Sequence, residues 1–201
     1  MQNQQPSTLK EIRVHGTQDF PCAFYQTGTR IKGNMVKHHW HEEVELLYFS
    51  GGEFCLEVNM ERFNISEECF YVINPGELHS ISVEKNGGCV ENAVVFHMDM
   101  LSSAYALNQI QTNLIQPVQN GSIQFPRCLR KNEPAFEPVR KSYEEIRNVF
   151  GGDSFRENYY DGEAVTDDIT RQLFIKSALL RILAVLSANN LFEVTEKNHD
   201  H

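Results

Sequence analysis

Residues 38–45 read HHWHEEVE, which places three imidazoles and three carboxylates directly before the apolar run LLYF. On a β-strand, side chains two residues apart share a face, so we expect His39, His41 and, if the strand is unbroken, Glu45 to project to one side. An imidazole from another strand, with His79 in NPGELH as the candidate, would complete a set of three nitrogens and one oxygen. Such a set suits a divalent zinc, nickel, iron or manganese ion. The sequence therefore predicts a candidate metal site at His39, His41, Glu45 and His79.

Two other interpretations of these four side chains stay open. They either line a polar cavity in which they hydrogen-bond a small effector, or they are wall residues that satisfy one another and water. Strand parity adds further side chains to the effector-binding set, with ordinary core packing as the competing interpretation for each of them. The full candidate set is His39, His41, Glu45, Leu47, Phe49, Tyr71 and His79. His15, His199 and His201 have no convergent partners in the sequence, and we assign them no role.

The charge of the chain argues against a large nucleic-acid surface. Its 201 residues carry 18 basic and 27 acidic side chains, a formal net charge of −9, and the basic residues are scattered rather than clustered. The five cysteines have no CxxC spacing and are expected to be free, reduced thiols. The N-terminus lacks the apolar core of a signal peptide and no stretch has the length of a membrane span, so we expect a cytoplasmic protein without membrane contact.

The pattern of the chain predicts a mainly β fold with C-terminal helices. Short β-type runs separated by turn residues fill residues 12–98, a spacing typical of an antiparallel sandwich or barrel. Residues 102–110 are then expected to form a short helix, and residues 114–125 to return to extended chain as a late strand. An amphipathic helix over residues 135–150 and a longer periodic, helical segment over residues 167–190 follow.

The longer predicted helix carries an apolar stripe with a spacing of four, three and four residues. Such a stripe has to be covered, either by the barrel and the preceding helix or by a second subunit, and both interpretations stay open. The second interpretation predicts a homodimer. Its interface residues would be Ile175, Leu179, Ile182 and Leu186.

The longer pattern around the HxH pair resembles the first signature of the cupin superfamily. It runs from Gly33 through five residues to His39-x-His41, then through three residues to Glu45 and six more to Gly52. Every position of that signature is present here. The resemblance implies that the three polar side chains face the inside of a cupin barrel.

A second stretch, Pro75-Gly76-x-x-His79, is similar to the second cupin signature. In that signature a proline–glycine turn delivers the last histidine into the barrel mouth. The chain departs from it at residues 66–68, which read SEE where a glycine is usual, and at Val83, where an asparagine is usual. These departures leave the barrel intact and argue against cupin-enzyme chemistry.

Over roughly residues 20–190 the chain resembles the N-terminal effector-binding and dimerisation half of AraC-type transcription regulators. The stretches that carry this resemblance are HWHEEVELLYFSGGEFCLEV, FYVINPGELHSI, AVVFHMDML and FIKSALLRILAVL. The resemblance implies a cupin (double-stranded β-helix, or jelly-roll) barrel followed by two or three α-helices that pair two subunits. It also implies a small-molecule effector, such as a sugar or another polar metabolite. DNA recognition would belong to a C-terminal helix-turn-helix domain that is missing from this chain.

We therefore predict a cupin β-barrel core over residues 1–98, and a short helix and late strand that complete it over residues 99–126. A helical dimerisation appendage over residues 127–192 and a frayed linker toward the absent DNA-binding domain over residues 193–201 follow. The predicted function is that of a small-molecule-sensing and dimerisation domain of an AraC-family transcription regulator, not of an enzyme. The alternative is a metal-dependent cupin enzyme, a dioxygenase or isomerase, which the complete set of four ligands favours and the helical appendage disfavours.

Overall fold

Eight antiparallel strands form a barrel of two facing sheets in the computed structural model, which describes residues 7–29, 31–86, 89–103, 108–151 and 168–195. The strands are β1 (Cys22–Thr29), β2 (Gly33–His39), β3 (Val44–Phe49), β4 (Phe54–Val58), β5 (Glu61–Ile65), β6 (Cys69–Ile73), β7 (His79–Val83) and β8 (Cys89–Phe96). One sheet has the order β1, β8, β3, β6, and the other has the order β2, β7, β4, β5. Eight strands in this order form a jelly roll, so the predicted cupin-type barrel is confirmed.

Alternate side chains of the first sheet pack into two different apolar cores, one inside the barrel and one beneath the helices. On β3, Leu47 and Phe49 point into the barrel, whereas Val44 and Leu46 point to the outer face, which the helices cover. All five positions of β6 are buried for the same reason. Because this sheet is covered on both faces, its strands read as continuous apolar runs rather than as an alternating pattern.

In the part of the chain that the structure describes, three α-helices follow the barrel, namely α1 (Gln116–Gln119), α2 (Phe136–Val149) and α3 (Ile169–Ala188). α2 buries the apolar side chains that predicted an amphipathic helix, including Phe136, Val139, Tyr143 and Ile146. α3 begins after Asp168, whose carboxylate accepts hydrogen bonds of 2.9 and 3.1 Å from the backbone N–H groups two and three residues further on. Both predicted helices are therefore confirmed.

The apolar stripe that predicted a subunit interface is buried inside the chain itself. Its residues are at most 4% exposed and lie in the apolar cluster that the helices form with the first sheet: Ile175, Leu179, Ile182 and Leu186. Side chains with so little exposed surface have none to offer to a second subunit. The structure thus corrects the assignment of these four residues to an interface, because the most apolar face of α3 packs within its own chain.

The connection between the barrel and α2 differs from the sequence prediction. Gln111–Ile115 forms a turn of π-helix that continues into α1, where extended chain was predicted. Pro117 does not prevent this, because it lies in the first turn of α1, where its missing N–H removes no intrahelical hydrogen bond. Residues 104–107, in the middle of the short predicted helix, lie outside the described residues.

A late strand does join the barrel, but it lies further along the chain than predicted. It is β10 (Cys128–Arg130), which pairs with β6 at the edge of the first sheet. The preceding strand, β9 (Ile123–Gln124), pairs instead with β11 (Glu193–Val194) in a separate two-stranded sheet. The end of the described chain is therefore tied back to the connection between the barrel and α2.

The prediction of free cysteines agrees with the structure where it describes these residues. Cysteines with described side chains carry free thiols, and these are Cys22, Cys55, Cys69 and Cys128. Within the described ranges, no helix combines the length and the apolar character that crossing a bilayer requires. His199 and His201 lie outside the described residues.

Candidate metal centre and effector cavity

Two segments far apart in the sequence deliver the four predicted ligands to one end of the barrel. β2 ends at His39, the chain bends at residues 42–43, and β3 begins in the opposite sheet. The inward direction of Glu45 was predicted on the condition of an unbroken strand. The strand is interrupted, yet Glu45 faces the same cavity as His39. His79 is the first residue of β7 and pairs in register with His39.

The four side chains lie close together at this end of the barrel, the barrel mouth. Nε2 of His79 lies 2.9 Å from Oε2 of Glu45, and Nε2 of His41 lies 3.4 Å from the same oxygen. The ring centroids of His39 and His79 are 4.3 Å apart, and one ring nitrogen from each of the three histidines lies within 4.8 Å of the others. Neighbouring ligands of one ion stand about 3.0–3.5 Å apart when the bonds are about 2.0–2.2 Å long. The separations of His41 and His79 from Glu45 therefore suit ligands of one shared ion, and the third histidine lies within reach of the same group.

The backbone orients the three imidazoles in the same way. In His39, His41 and His79, Nδ1 lies 2.8, 3.2 and 2.9 Å, respectively, from a backbone carbonyl oxygen two residues away. Because a carbonyl oxygen only accepts, each neutral ring carries its proton on Nδ1, and Nε2 keeps its lone pair. Nε2 of His79 is buried without a well-directed hydrogen bond, although a Glu45 oxygen lies 2.9 Å away. Three such nitrogens beside one carboxylate fit the donor chemistry of a divalent metal site.

The charges in the site stabilise one another. Burial raises the pKa of Glu45, but the hydrogen bonds and charges of His41 and His79 outweigh burial and hold this pKa well below its ordinary value. Burial lowers the pKa of His41, but its hydrogen bond to Glu45 and the surrounding carboxylates outweigh burial and raise this pKa. Burial and the charge of His79 lower the pKa of His39. Glu45 is therefore ionised at neutral pH and can balance the charge of a cation.

A tight turn ahead of β7 positions His79. Gly76 has a φ of +80°, the left-handed conformation found at the third position of a type II turn, and its N–H donates to the carbonyl oxygen of His41 at 2.7 Å. The carboxylate of Glu77 accepts a 2.7 Å hydrogen bond from a backbone N–H of the same turn and forms a bidentate ion pair with Arg127. The turn is thus attached both to the HxH segment and to the chain that enters β10.

A cavity of about 370 Å³ opens beside the four residues. Of the residues predicted to bind an effector, His39, His41 and Glu45 line this cavity. Leu47, Phe49 and Tyr71 do not line it, because they pack with other large side chains in the apolar interior of the barrel, and their core-packing interpretation holds. His79, at 1% exposure, lies behind the cavity wall. The strands β1, β2 and β8 form the walls through Tyr25, Thr27, Met35, Val36, Ala93 and Val95.

A buried carboxyl group that the sequence analysis missed also lines this cavity. Glu91 is 2% exposed, and its Oε1 has no hydrogen-bond partner among the described residues. Burial, together with the negative charge of Glu45, raises the pKa of Glu91 well above its ordinary value. Both causes favour the protonated form of this carboxyl group, which can donate a hydrogen bond into the cavity. The sequence does carry a signal for Glu91. It precedes Ala93 by two residues and Val95 by four, so it shares their inward strand face, where an acidic residue is unexpected.

The segment before β1 adds two more polar side chains to the barrel mouth. His15 is 4% exposed, and its Nδ1 lies 2.7 Å from the hydroxyl group of Tyr25. Oε2 of Glu11 lies 3.2 Å from Nε2 of His15 and 3.4 Å from Nε2 of His39. The expectation that His15 has no convergent partners is therefore wrong. No spacing rule links these two residues to the barrel motifs, because they precede the first strand of the barrel.

Comparisons with known proteins agree with this architecture. A model of the AraC-like ligand binding domain family matches residues 26–149, which is more than half of the chain. An uncharacterized HTH-type transcriptional regulator of Bacillus subtilis (strain 168), YdeC, is 28% identical over 114 residues, which are 53% of this chain and 39% of that protein. The chain thus covers less than half of the length of this relative.

Among solved structures, the chain is similar to a predicted oxalate decarboxylase from Thermotoga maritima. The two are 24% identical, with a TM-score of 0.35, over 37% of this chain and 64% of that chain. A cupin protein from Bacteroides fragilis is 14% identical, with a TM-score of 0.35, over 43% of this chain and 70% of that chain.

Proposed function

The chain belongs to the AraC-like ligand-binding domain family, and on this premise we propose that it is the small-molecule-sensing and dimerisation domain of an AraC-type transcription regulator. The observation that carries the proposal is the cavity of about 370 Å³, with ionisable side chains gathered at the barrel mouth. Small-molecule sites combine apolar walls with a few convergent polar groups that fix orientation. A sensor domain needs a cavity of this kind.

The polar groups of the cavity indicate the class of effector. Glu45 is an ionised hydrogen-bond acceptor, and the raised pKa of Glu91 favours its protonated, donating form, while Ala93 and Val95 offer apolar surface between polar groups. A hydroxyl group both donates and accepts, so a molecule with several hydroxyl groups on a short carbon skeleton can satisfy both carboxyl groups. We infer that the effector is a sugar or another polar metabolite.

A divalent metal ion is part of the proposal. His39, His41, Glu45 and His79 would hold it, because ring nitrogens of the three histidines lie within 4.8 Å of one another and Oε2 of Glu45 lies 3.4 Å from Nε2 of His41 and 2.9 Å from Nε2 of His79. Such an ion would supply an electrophilic coordination position for an oxygen of the effector. The hydrogen bonds from Nδ1 to the backbone keep the rings oriented, and Glu45 balances the charge.

Dimerisation would use a different face of α3 from the one that the sequence analysis assigned. Ile169, Leu173 and Leu180 are 71%, 62% and 44% exposed and lie along one side of the helix. We propose that this face pairs two subunits. An effector that binds one arrangement of the dimer better than another, by a few kcal/mol, would then shift the population between the two arrangements.

DNA recognition would belong to a C-terminal domain outside this chain. The Bacillus subtilis relative is named as an HTH-type regulator, and this chain covers 39% of its length. In this proposal residues 1–98 with residues 99–126 are the sensor barrel, residues 127–192 are the dimerisation appendage, and residues 193–201 lead toward the DNA-binding domain. The place of action would be the cytoplasm.

The proposal is tested by thermal unfolding of the purified chain with a panel of sugars, polyols and hydroxy acids, with and without Co²⁺. A compound present at about 100 times its dissociation constant is expected to stabilise the fold by about 2.7 kcal/mol. Glu91→Leu, which removes the buried donor, is expected to reduce that shift, whereas Glu61→Gln on the exposed strand β5 is expected to leave it unchanged. If no compound raised the unfolding temperature, either with or without Co²⁺, the result would count against a sensor function.

A second candidate is a metal-dependent cupin enzyme with dioxygenase or isomerase chemistry. One observation favours it, namely that the three histidines form one candidate ligand group and that Glu45 lies 2.9 Å from His79 in the same site. Oxygen consumption and substrate turnover by the iron-loaded protein would support it. Metal-free protein that still binds an effector, without turnover in the loaded form, would support the sensor.

A further inference from the structure

The segment before β1 is fastened across the barrel mouth by backbone hydrogen bonds. The N–H of Glu11 donates to the carbonyl oxygen of Trp40 at 2.9 Å, and the N–H of Trp40 donates to the carbonyl oxygen of Leu9 at 3.0 Å. The ammonium group of Lys10 lies 2.6 Å from the carboxylate of Glu42. Because Trp40 lies between the two histidines of the HxH pair, these bonds hold Glu11 beside the candidate metal centre.

A glycine makes it possible for His15 to enter the mouth. Gly16 has a φ of +81°, and a Cβ at this position would lie 2.5 Å from the carbonyl oxygens of Phe20 and Cys22. Only glycine fits such a close approach between two stretches of backbone. The chain therefore turns back on itself directly after His15, whose imidazole is buried against the rings of Tyr25 and His41.

From these contacts we propose a second metal position in the barrel mouth, built by Glu11, His15 and His41. One ligand atom from each of the three residues lies within 4.8 Å of the others, the same separation that groups His39, His41 and His79. We call this set the outer position, and we call the set of His39, His41, Glu45 and His79 the inner position. The outer position extends the proposed metal chemistry to the segment before the barrel, and it shares only His41 with the inner position.

The donor atoms of the outer position are suited to a cation. Nε2 of His15 is buried without a well-directed hydrogen bond, and Oε2 of Glu11 lies 3.2 Å from it. The hydroxyl group of Tyr25 can accept the proton of Nδ1, at 2.7 Å, which leaves the lone pair on Nε2 for an ion. Two imidazoles and one carboxylate form a ligand set typical of divalent iron, cobalt and zinc, with positions left open for water or another ligand.

The shared histidine makes the two positions alternatives for one ion. Nδ1 of His41 faces the carbonyl oxygen of Glu43 at 3.2 Å, so only Nε2 of this ring is directed to a metal. One nitrogen binds one ion, and an ion in the outer position therefore leaves the inner one incomplete. In the outer position the ion would link the segment before β1 directly to the barrel.

The test is calorimetric titration with Co²⁺ alone, in a background with His199→Gln and His201→Gln, so that the terminal imidazoles are not counted. The double variant His39→Gln/His79→Gln removes two ligands of the inner position and none of the outer one. We expect it to bind one equivalent of Co²⁺ still, more weakly than the wild type. Adding Glu11→Gln or His15→Gln to this variant is expected to weaken Co²⁺ binding further, by at least about tenfold. His38→Gln, at an exposed His–Glu pair with a distance of 3.0 Å, is the matched control and is expected to change nothing.

The outcomes separate this inference from the proposed function. Co²⁺ binding by the wild type but not by the folded double variant overturns the outer position and leaves the inner one standing. Binding by the double variant that is insensitive to Glu11→Gln and His15→Gln also overturns it. If the double variant does not fold, His79→Gln alone takes its place, and an unchanged affinity after removal of Glu11 and His15 overturns the inference. A wild type that binds no Co²⁺ overturns both metal positions.

Discussion

The backbone N–H of Gly76 donates a 2.7 Å hydrogen bond to the carbonyl oxygen of His41, and this contact joins the two halves of the candidate metal centre. His41 lies between β2 and β3, whereas Gly76 lies in the turn that leads to His79 at the start of β7. The bond therefore sets the distance at which His79 approaches Glu45. The convergence of the site depends on this turn as much as on the ligands themselves.

Substitution of Gly76 tests the importance of the turn. A Cβ at this position would meet no atom within 4 Å, so only the left-handed backbone, at a φ of +80°, opposes a larger residue. We expect Gly76→Ala to lower the free energy of unfolding by about 1–2 kcal/mol and Gly76→Asn to lower it less, because asparagine tolerates this conformation better. Urea unfolding measures the effect. Equal stability of all three proteins would show that the turn is not constrained in this way.

The ion pair between Glu77 and Arg127 is expected to be worth more than an exposed pair. Glu77 is 7% exposed, and its carboxylate also accepts a hydrogen bond of 2.7 Å from the N–H of Asn74. Arg127→Met leaves this buried carboxylate without its partner, which is expected to cost about 2–3 kcal/mol of unfolding free energy. The cobalt affinity of the inner position is expected to fall as well, because the turn that positions His79 is loosened.

The control for this prediction is an exposed pair of the same type. Lys85 and Glu53 are 2.6 Å apart, with side chains that are 72% and 45% exposed. Lys85→Met is expected to cost less than about 1 kcal/mol, because solvent screens such a pair. A loss for Arg127→Met no larger than that for Lys85→Met would contradict a positioning role of the buried pair.

Glu91 is expected to make the fold less stable as the pH rises. The unfolded chain releases this proton near the ordinary pKa of 4.5, whereas the folded barrel, in which the pKa is raised well above that value, retains it. The folded state therefore binds one proton more than the unfolded state above about pH 4.5, and the free energy of unfolding falls with increasing pH. Glu91→Gln removes this dependence. Between pH 4 and pH 7, the free energy of unfolding of the metal-free wild type is therefore expected to fall relative to that of the metal-free variant.

Thermal unfolding across that pH range, in the presence of a chelator, measures the difference. Glu61→Gln replaces an exposed carboxyl group and is the matched control. Its stability is expected to change with pH in parallel with that of the wild type. Parallel curves for Glu91→Gln would mean that Glu91 is ionised in the folded barrel.

Substitutions on two faces of α3 separate core packing from dimerisation. Leu179 is 1% exposed, and Leu179→Glu buries a charge, so we expect a loss of several kcal/mol or an unfolded chain. Leu173 is 62% exposed, and Leu173→Glu is expected to change the stability of the subunit by only about 0.5 kcal/mol while it converts the dimer to a monomer. Sedimentation velocity checks the oligomeric state. A monomeric wild type, or a dimer that survives Leu173→Glu, would contradict the proposed interface.

The sequence was sufficient to predict the barrel and four converging side chains, because both rest on short-range rules. The spacing of His39 and His41 and the proline–glycine turn before His79 are local features, and the antiparallel pairing of β2 with β7 converts them into proximity. The bend at residues 42–43 was missed, since nothing in the pattern of apolar and polar residues distinguishes it from a continuing strand.

Other features depend on the tertiary structure and could not be predicted in this way. The side of α3 that meets the first sheet follows from packing, so the stripe that includes Leu179 was equally compatible with a subunit interface. Glu11 and His15 reach the site because a segment outside the barrel folds across its mouth. Glu91 is an intermediate case. The alternation of side chains along β8 predicts that it points inward, but no sequence motif includes it.

The most direct measurement is anomalous X-ray scattering at the cobalt edge from crystals of the chain grown with Co²⁺. We expect the strongest peak in the barrel mouth, about 2.0–2.2 Å from Nε2 of His39, His41 and His79 and from a carboxylate oxygen of Glu45. Barrel-mouth side chains that stand too far apart to share one ion, or cobalt found only outside the mouth, would contradict the convergence on which the proposed function rests.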